Sequence, residues 1–273
     1  MGKIGSTRTL SRVALALSEG LFSRAVDLAL WAVIYMGEIS IPQSTLGQHW
    51  RAQFAADRFL QQINYDVIKS ALKTAQHRGL IKPRRRNAKP EITEEGKRRL
   101  SEVLPHYDEK RSWDGKVHLV TYDIPESRKI DREFFREYLR RIGCAMLQES
   151  VWITLYNPID LVRSFVDEKE LSGTVIVSDL GKDGAVGEED IRALLVRIYK
   201  LEELNKRYEE WFSTIEVSDS VDHSGFIQYL AILADDPQLP FVLLPPWWKG
   251  DKAYLCVKQN LLKVSIILRS QKY

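Results

Sequence analysis

Three consecutive arginines and a lysine, Arg84, Arg85, Arg86 and Lys89, lie between Pro83 and Pro90. Cations crowded onto a short tip bind phosphate. Each neutralised phosphate releases condensed counterions, and a guanidinium offers a fork of donors to phosphate oxygens. Leu80-Ile81-Lys82 and Glu91-Ile92-Thr93 are short strand-forming runs on either side, so the spacing predicts a basic hairpin. Ahead of it the pattern predicts a helix over Tyr65–Arg78, which Asn64 can cap and Gly79 can end. Val67, Ile68, Ala71, Leu72 and Ala75 form its apolar face, and Lys69, Ser70, Lys73, Thr74, Gln76 and His77 lie opposite. After the hairpin, Thr93 can cap a helix running through Glu94, Glu95 and Gly96 to Leu100. Helix, hairpin and helix in this order form a winged helix-turn-helix, with one helix in the major groove and the wing on the backbone or minor groove. Arg84, Arg85, Arg86 and Lys89 are then phosphate contacts, while Lys69, Ser70 and Lys73 are candidates for base edges.

Other chemistries find little support. Cys144 and Cys256 are too few for a disulfide framework, and both sit in apolar, strand-like runs that suggest reduced, buried thiols. No metal-ligand spacing connects them to His49, His77, His106, His118 or His223, and no cofactor is expected. The apolar run Leu28–Met36 is too short to span a bilayer, and Glu19 and Arg24 interrupt any secretory signal. MGKIGS fits the myristoylation pattern, a short pattern that often arises by chance. The expected location is the cytoplasm.

The elements that position these residues fall into three parts. Residues 1–111 carry 19 Lys and Arg against 11 Asp and Glu, whereas 112–273 carry 21 against 26. A basic head on an acidic body is the footprint of nucleic-acid binding at one end. In the head, residues 1–20 are polar, Ser23–Tyr35 is an apolar helix, and Ser44 can cap a helix bearing Leu46 and Trp50. The middle opens with a strand, Val117–Tyr122, which Asp123 and Pro125 end. A helix follows whose apolar face is Phe134, Phe135, Tyr138, Leu139 and Ile142, and Gly143 closes it. Strands Cys144–Gln148 and Val151–Leu155, a helix over Asp160–Glu170 and a strand over Gly173–Ser178 complete a ferredoxin-like β-α-β-β-α-β unit, Lys116–Leu180. A glycine-rich break, Gly181–Gly187, leads to a long helix over Glu188–Phe212, a second over Gly225–Ala234 and a proline-fixed apolar segment from Leu239 to Gly250. The expected fold is α+β: a winged helix-turn-helix domain over 1–111, a ferredoxin-like domain over 112–182 and a mainly helical domain over 183–273.

The chain resembles the PaaX family of phenylacetic-acid-type transcriptional repressors from about Ala25 to Asn260. The resemblance is carried by Tyr122-Asp123-Ile124-Pro125-Glu126, Val151-Trp152-Ile153, the run Tyr199 to Trp211, Asp236-Pro237-Gln238-Leu239-Pro240, Leu243-Leu244-Pro245 and Trp248-Lys249-Gly250. It implies a homodimer that binds palindromic operators in double-stranded DNA and is released by an aryl-acyl-CoA thioester. Two departures stand out. Lys69 and Thr74 occupy the slots of the two arginines that the family's recognition helix carries, and the wing lacks the glycine-arginine-glycine pattern. The operator is therefore not transferable, and nothing singles out phenylacetyl-CoA. The middle unit also resembles the small ferredoxin-like subunit of CRISPR adaptation complexes. Some of those are metal-dependent nucleases that use an Asp at the end of the first strand, the slot that Asp123 fills. A carboxylate pair across a two-fold axis would hold Mg²⁺. In the repressors the same residue hydrogen-bonds the turn or caps the next helix.

The reading is therefore a regulator and not an enzyme: a dimeric repressor of a catabolic operon, released by a small effector, plausibly an acyl-CoA thioester. The alternatives are a metal-dependent nuclease acting through Asp123, and an architectural nucleic-acid-binding subunit.

Overall fold

The computed structural model describes residues 25–39, 65–82, 91–181, 190–215 and 221–269. In chain order it contains α1 (Ala25–Ile39), α2 (Tyr65–His77), α3 (Glu94–Val103), β1 (His118–Asp123), α4 (Lys129–Arg141), β2 (Ala145–Gln148) and β3 (Val151–Thr154). There follow α5 (Ile159–Glu168), β4 (Thr174–Asp179), α6 (Ile191–Ile198), α7 (Leu201–Ile215), α8 (His223–Asp235) and α9 (Gly250–Arg269). The fold is mixed α+β, and the chain divides into two compact units. One takes the chain up to Tyr107 together with Arg207–Asp236 and Lys249 onward; the other comprises Asp108–Lys206 and Pro237–Trp248.

The second unit is built on a four-stranded antiparallel sheet in the order β2-β3-β1-β4. Strand β1 pairs on one side with β3, Val120 opposite Trp152, and on the other with β4, Val120 opposite Val177. This β-α-β-β-α-β arrangement is the ferredoxin-like one. One face of β1 carries Val120 and Tyr122 into a core with Phe135, Leu139, Trp152 and Val162, the two-residue period of a half-buried strand. Gly173 immediately precedes β4; its φ of +121° favours glycine, and a Cβ there would collide with the Asp123 carbonyl. The sequence expectation for α4 needs one correction. Phe134 is 64 % exposed, because neighbours on a helix point about 100° apart and Phe135 takes the core position. In α5, Val162 is buried while Leu161 is exposed.

The single helix expected over Glu188–Phe212 is two helices. Helix α6 ends at Ile198, and Lys200 adopts φ +52°, a left-handed conformation that interrupts a helix. The adjoining Tyr199 hydroxyl donates to the carbonyls of Gly143 (2.9 Å) and Ile153 (3.2 Å), and burial pushes its phenol pKa up. The proline-fixed segment packs into this unit: Arg111 donates to the Leu239 carbonyl at 3.2 Å and lies over the Phe241 ring. Cys144 is buried, as its apolar setting predicts. Cys256 is not: it lies exposed on α9, a helix where the sequence suggested a strand-like run.

The first unit is helical. In α1 every residue from Val26 to Ile34 is buried, and all of them except Asp27 are apolar. It packs on α2 and α3, and α9 packs on α3 and α8. Helix α8 is capped by Asp222, which accepts from Gly225 N at 2.7 Å, and the Trp211 indole donates to the Gly225 carbonyl at 2.7 Å. Among the described residues no helix is long and apolar enough to cross a membrane.

Candidate nucleic-acid interface

Helix α2 presents two faces. Ala71 and Ala75 are buried, while Lys69, Ser70, Lys73 and His77 are exposed. Lys69 and Lys73 are one turn apart, so both ammonium groups share a face with Ser70, and among the described residues neither makes an ion pair. Thr74, which fills the second arginine slot, turns back on its own helix and donates to the Ser70 carbonyl at 3.1 Å.

The helix stops at Gly79, which has φ +70° and donates to the Gln76 carbonyl at 3.0 Å. The chain then turns into paired extended segments. Ile81 bridges Ile92, Lys82 N donates to the Glu91 carbonyl at 2.8 Å, and Thr93 N donates to the Leu80 carbonyl at 3.0 Å. Lys82 Nζ also pairs with Glu91 Oε2 at 2.8 Å. This isolated bridge pairs the two segments that the sequence reading places at the base of a hairpin. Its tip, with Arg84, Arg85, Arg86 and Lys89, lies outside the described residues, as do the Asn64 and Ser44 caps and the helix with Leu46 and Trp50. In sequence, residues 83–90 join Lys82 to Glu91.

Thr93 ties the three parts together. Its hydroxyl donates to the Gly79 carbonyl at 2.7 Å, at the end of α2, and accepts from Gly96 N at 3.1 Å, in the first turn of α3. Gly96 is buried against the Leu80 carbonyl and Ile92, so a Cβ there would strike the hairpin backbone. The exposed helix face, the hairpin base and α3 are thus locked as one block. Arg78 and Lys82 are further exposed cations on this segment that the sequence reading passed over. Their signal was their position, flanking the turn between helix and hairpin.

Asp123 lies elsewhere, exposed at the end of β1 in the other unit. Its carboxylate makes no hydrogen bond among the described residues, and neither the 3₁₀ turn Glu126–Arg128 nor α4 has a side-chain cap. The capping role expected of it is not seen. No group of three or more His, Cys, Asp or Glu that could hold a metal ion occurs among the described residues.

Comparison with known proteins bears on the middle of the chain. Residues 110–189 match the family described as the PaaX protein central Cas2-like domain. The middle of this chain is similar to a PaaX central domain. The resemblance to the PaaX family read from the sequence is thereby shown where the sheet lies, and the Cas2-like description agrees with the β-α-β-β-α-β order. No curated protein matches the chain. Among solved structures, an uncharacterised protein, Rv0674 from Mycobacterium tuberculosis, is similar at a TM-score of 0.51 and 16 % identity, over 91 % of this chain and 97 % of that one. That likeness concerns the fold alone, and it extends well beyond the PaaX-type domain.

Proposed function

We propose that this protein is a dimeric, DNA-binding transcriptional repressor of a catabolic operon, located in the cytoplasm and released from its operator by a small effector. The observation that carries the reading is the exposed Lys69–Ser70–Lys73 face of α2, fixed through Thr93 to a hairpin base that brackets three arginines. In this reading residues 1–111 are the winged-helix head, 112–182 the ferredoxin-like body and 183–273 the helical tail. Lys69, Ser70 and Lys73 face the major groove, and Arg84, Arg85, Arg86 and Lys89 contact phosphates. The PaaX-type middle domain supports a regulator over an enzyme, and an acyl-CoA thioester is the effector class that the resemblance implies. An effector shifts the dimer only as far as its affinities for the two states differ.

A gel-shift titration with the DNA upstream of the gene tests this directly. The expected result is a protein-dependent shift at low salt that a scrambled duplex of equal length does not compete away. The same shift with every duplex contradicts operator recognition, leaving the architectural reading, and no shift removes DNA binding altogether.

The carboxylate of Asp123, which makes no hydrogen bond among the described residues and ends the first strand of the region that matches a Cas2-like domain, supports a second reading as a metal-dependent nuclease. Cleavage of labelled DNA or RNA with Mg²⁺ or Mn²⁺, abolished by Asp123→Ala, would establish it.

A further inference from the structure

The helical unit contains a cavity of about 660 Å³ walled by Trp31 and Ile34 of α1, Phe226 of α8, and Val264 and Ile267 of α9. Its volume falls in the range of small-molecule sites, which are mostly apolar with a few polar groups that fix orientation. The polar groups here come from two places. His223 is buried and its Nε2 accepts from Trp31 Nε1 at 2.8 Å, with the rings 8° from parallel, so the imidazole props the indole in position. Asn260 and Lys263 lie one turn apart on α9, on the same helix face as Val264 and Ile267. Asp222 also borders the cavity, but its carboxylate is engaged by Gly225 N at the start of α8. Lys263 makes no ion pair among the described residues, whereas the Asp222 carboxylate faces the positive end of α8, so the cation is the charge less well met at this cavity.

We propose that this cavity binds a small amphipathic monoanion, with its apolar body against Trp31 and Phe226 and its anionic group on Lys263 and Asn260. A carboxylate on an alkyl or aryl body, on the order of ten to twenty non-hydrogen atoms, fits the volume and the lining. The inference rests on the proposed function for its biological role, and the ligand it names is a smaller and less charged effector than the acyl-CoA thioester that the resemblance implies. Its physical basis is that α1 serves two surfaces: Trp31 and Ile34 line the cavity, and the same helix packs on α2, which bears Lys69 and Lys73. A ligand that moves α1 moves the helix offered to DNA.

Titration calorimetry of the full chain with decanoate and with decan-1-ol tests the site. Decanoate is expected to bind about tenfold more tightly, the worth of one charge-assisted contact. Lys263→Met should remove that preference while leaving decanol binding intact, and Val264→Trp, which fills the cavity, should abolish both. Lys263 is exposed, so its substitution reads out even if Val264→Trp fails to fold. Absence of decanoate binding, or equal affinity of the Lys263→Met and unmodified proteins for decanoate, overturns the site. Saturating decanoate is further expected to weaken binding of the upstream duplex. Ligand binding with unchanged DNA affinity overturns the coupling through α1. Ligand binding by a protein that never binds DNA upholds the site and overturns the repressor reading instead.

Discussion

The guanidinium of Arg99 grips the carboxylate of Asp27 with two hydrogen bonds, Nε to Oδ1 at 2.5 Å and Nη2 to Oδ2 at 3.2 Å. Asp27 is 1 % exposed among the apolar residues of the first turns of α1, and Arg99 reaches it from α3. This pair fastens the helix that lines the cavity to the helix that follows the hairpin. Removing the cation strands a buried carboxylate, which costs more than the pair itself contributes. Arg99→Met should therefore lower stability by about 3 kcal/mol in urea unfolding. Adding Asp27→Asn to it should restore much of the loss, and a double variant no better than the single one would show that the pair is not the cause.

Gly96 makes a separate prediction. A Cβ at this position would run into the Leu80 carbonyl and Ile92, at the base of the hairpin. Gly96→Ala should cost about 2 kcal/mol through overpacking and should weaken DNA binding along with it, because the hairpin must shift. Duplex affinity of the folded variant, measured below its melting temperature, separates the two effects. Unchanged affinity would show that the hairpin base does not position the DNA contacts.

The thiols should behave differently from one another. Burial pushes the Cys144 thiol up to about 12, only partly offset by a hydrogen bond with Thr154, whereas Cys256 is exposed. Ellman's reagent at pH 8 should label one thiol quickly and the second only on unfolding. The sign of the pH effect follows from linkage. A folded-state pKa above the unfolded value contributes stability that is present below about pH 9 and is lost as pH rises toward 12. Cys144→Ala should flatten that alkaline loss, read by urea titrations across the window.

The parts of the fold that are legible in the sequence are those whose signal is local. Strand β1 shows its two-residue alternation, and Pro125 and Gly143 punctuate the elements next to it. The break at Lys200 is hidden because Leu195, Leu201, Leu204 and Tyr208 stay buried on either side of it, and lysine carries no mark of a left-handed backbone. Helix α9 is obscured by Lys252, Lys258 and Lys263, which dilute its apolar spacing. The cations of α2 can be read because an amphipathic helix announces its exposed face. The cavity cannot, because its walls come from Trp31, Phe226 and Val264, brought together from distant parts of the chain by packing alone.

The claim on which the rest depends is that α2 and the hairpin grip a duplex. The measurement that tests it most directly is the salt dependence of duplex binding, followed by fluorescence anisotropy for the unmodified protein and for Lys69→Ala/Lys73→Ala. As base-edge contacts, the two lysines are expected to cost the double variant affinity for the upstream duplex and hardly any for a scrambled one. If they contact phosphates instead, affinity should fall on both duplexes and the slope of log Kd against log salt should drop by about 0.9 per contact, up to about 1.8. Identical affinities and slopes for both proteins on both duplexes would contradict the assignment of this face to DNA.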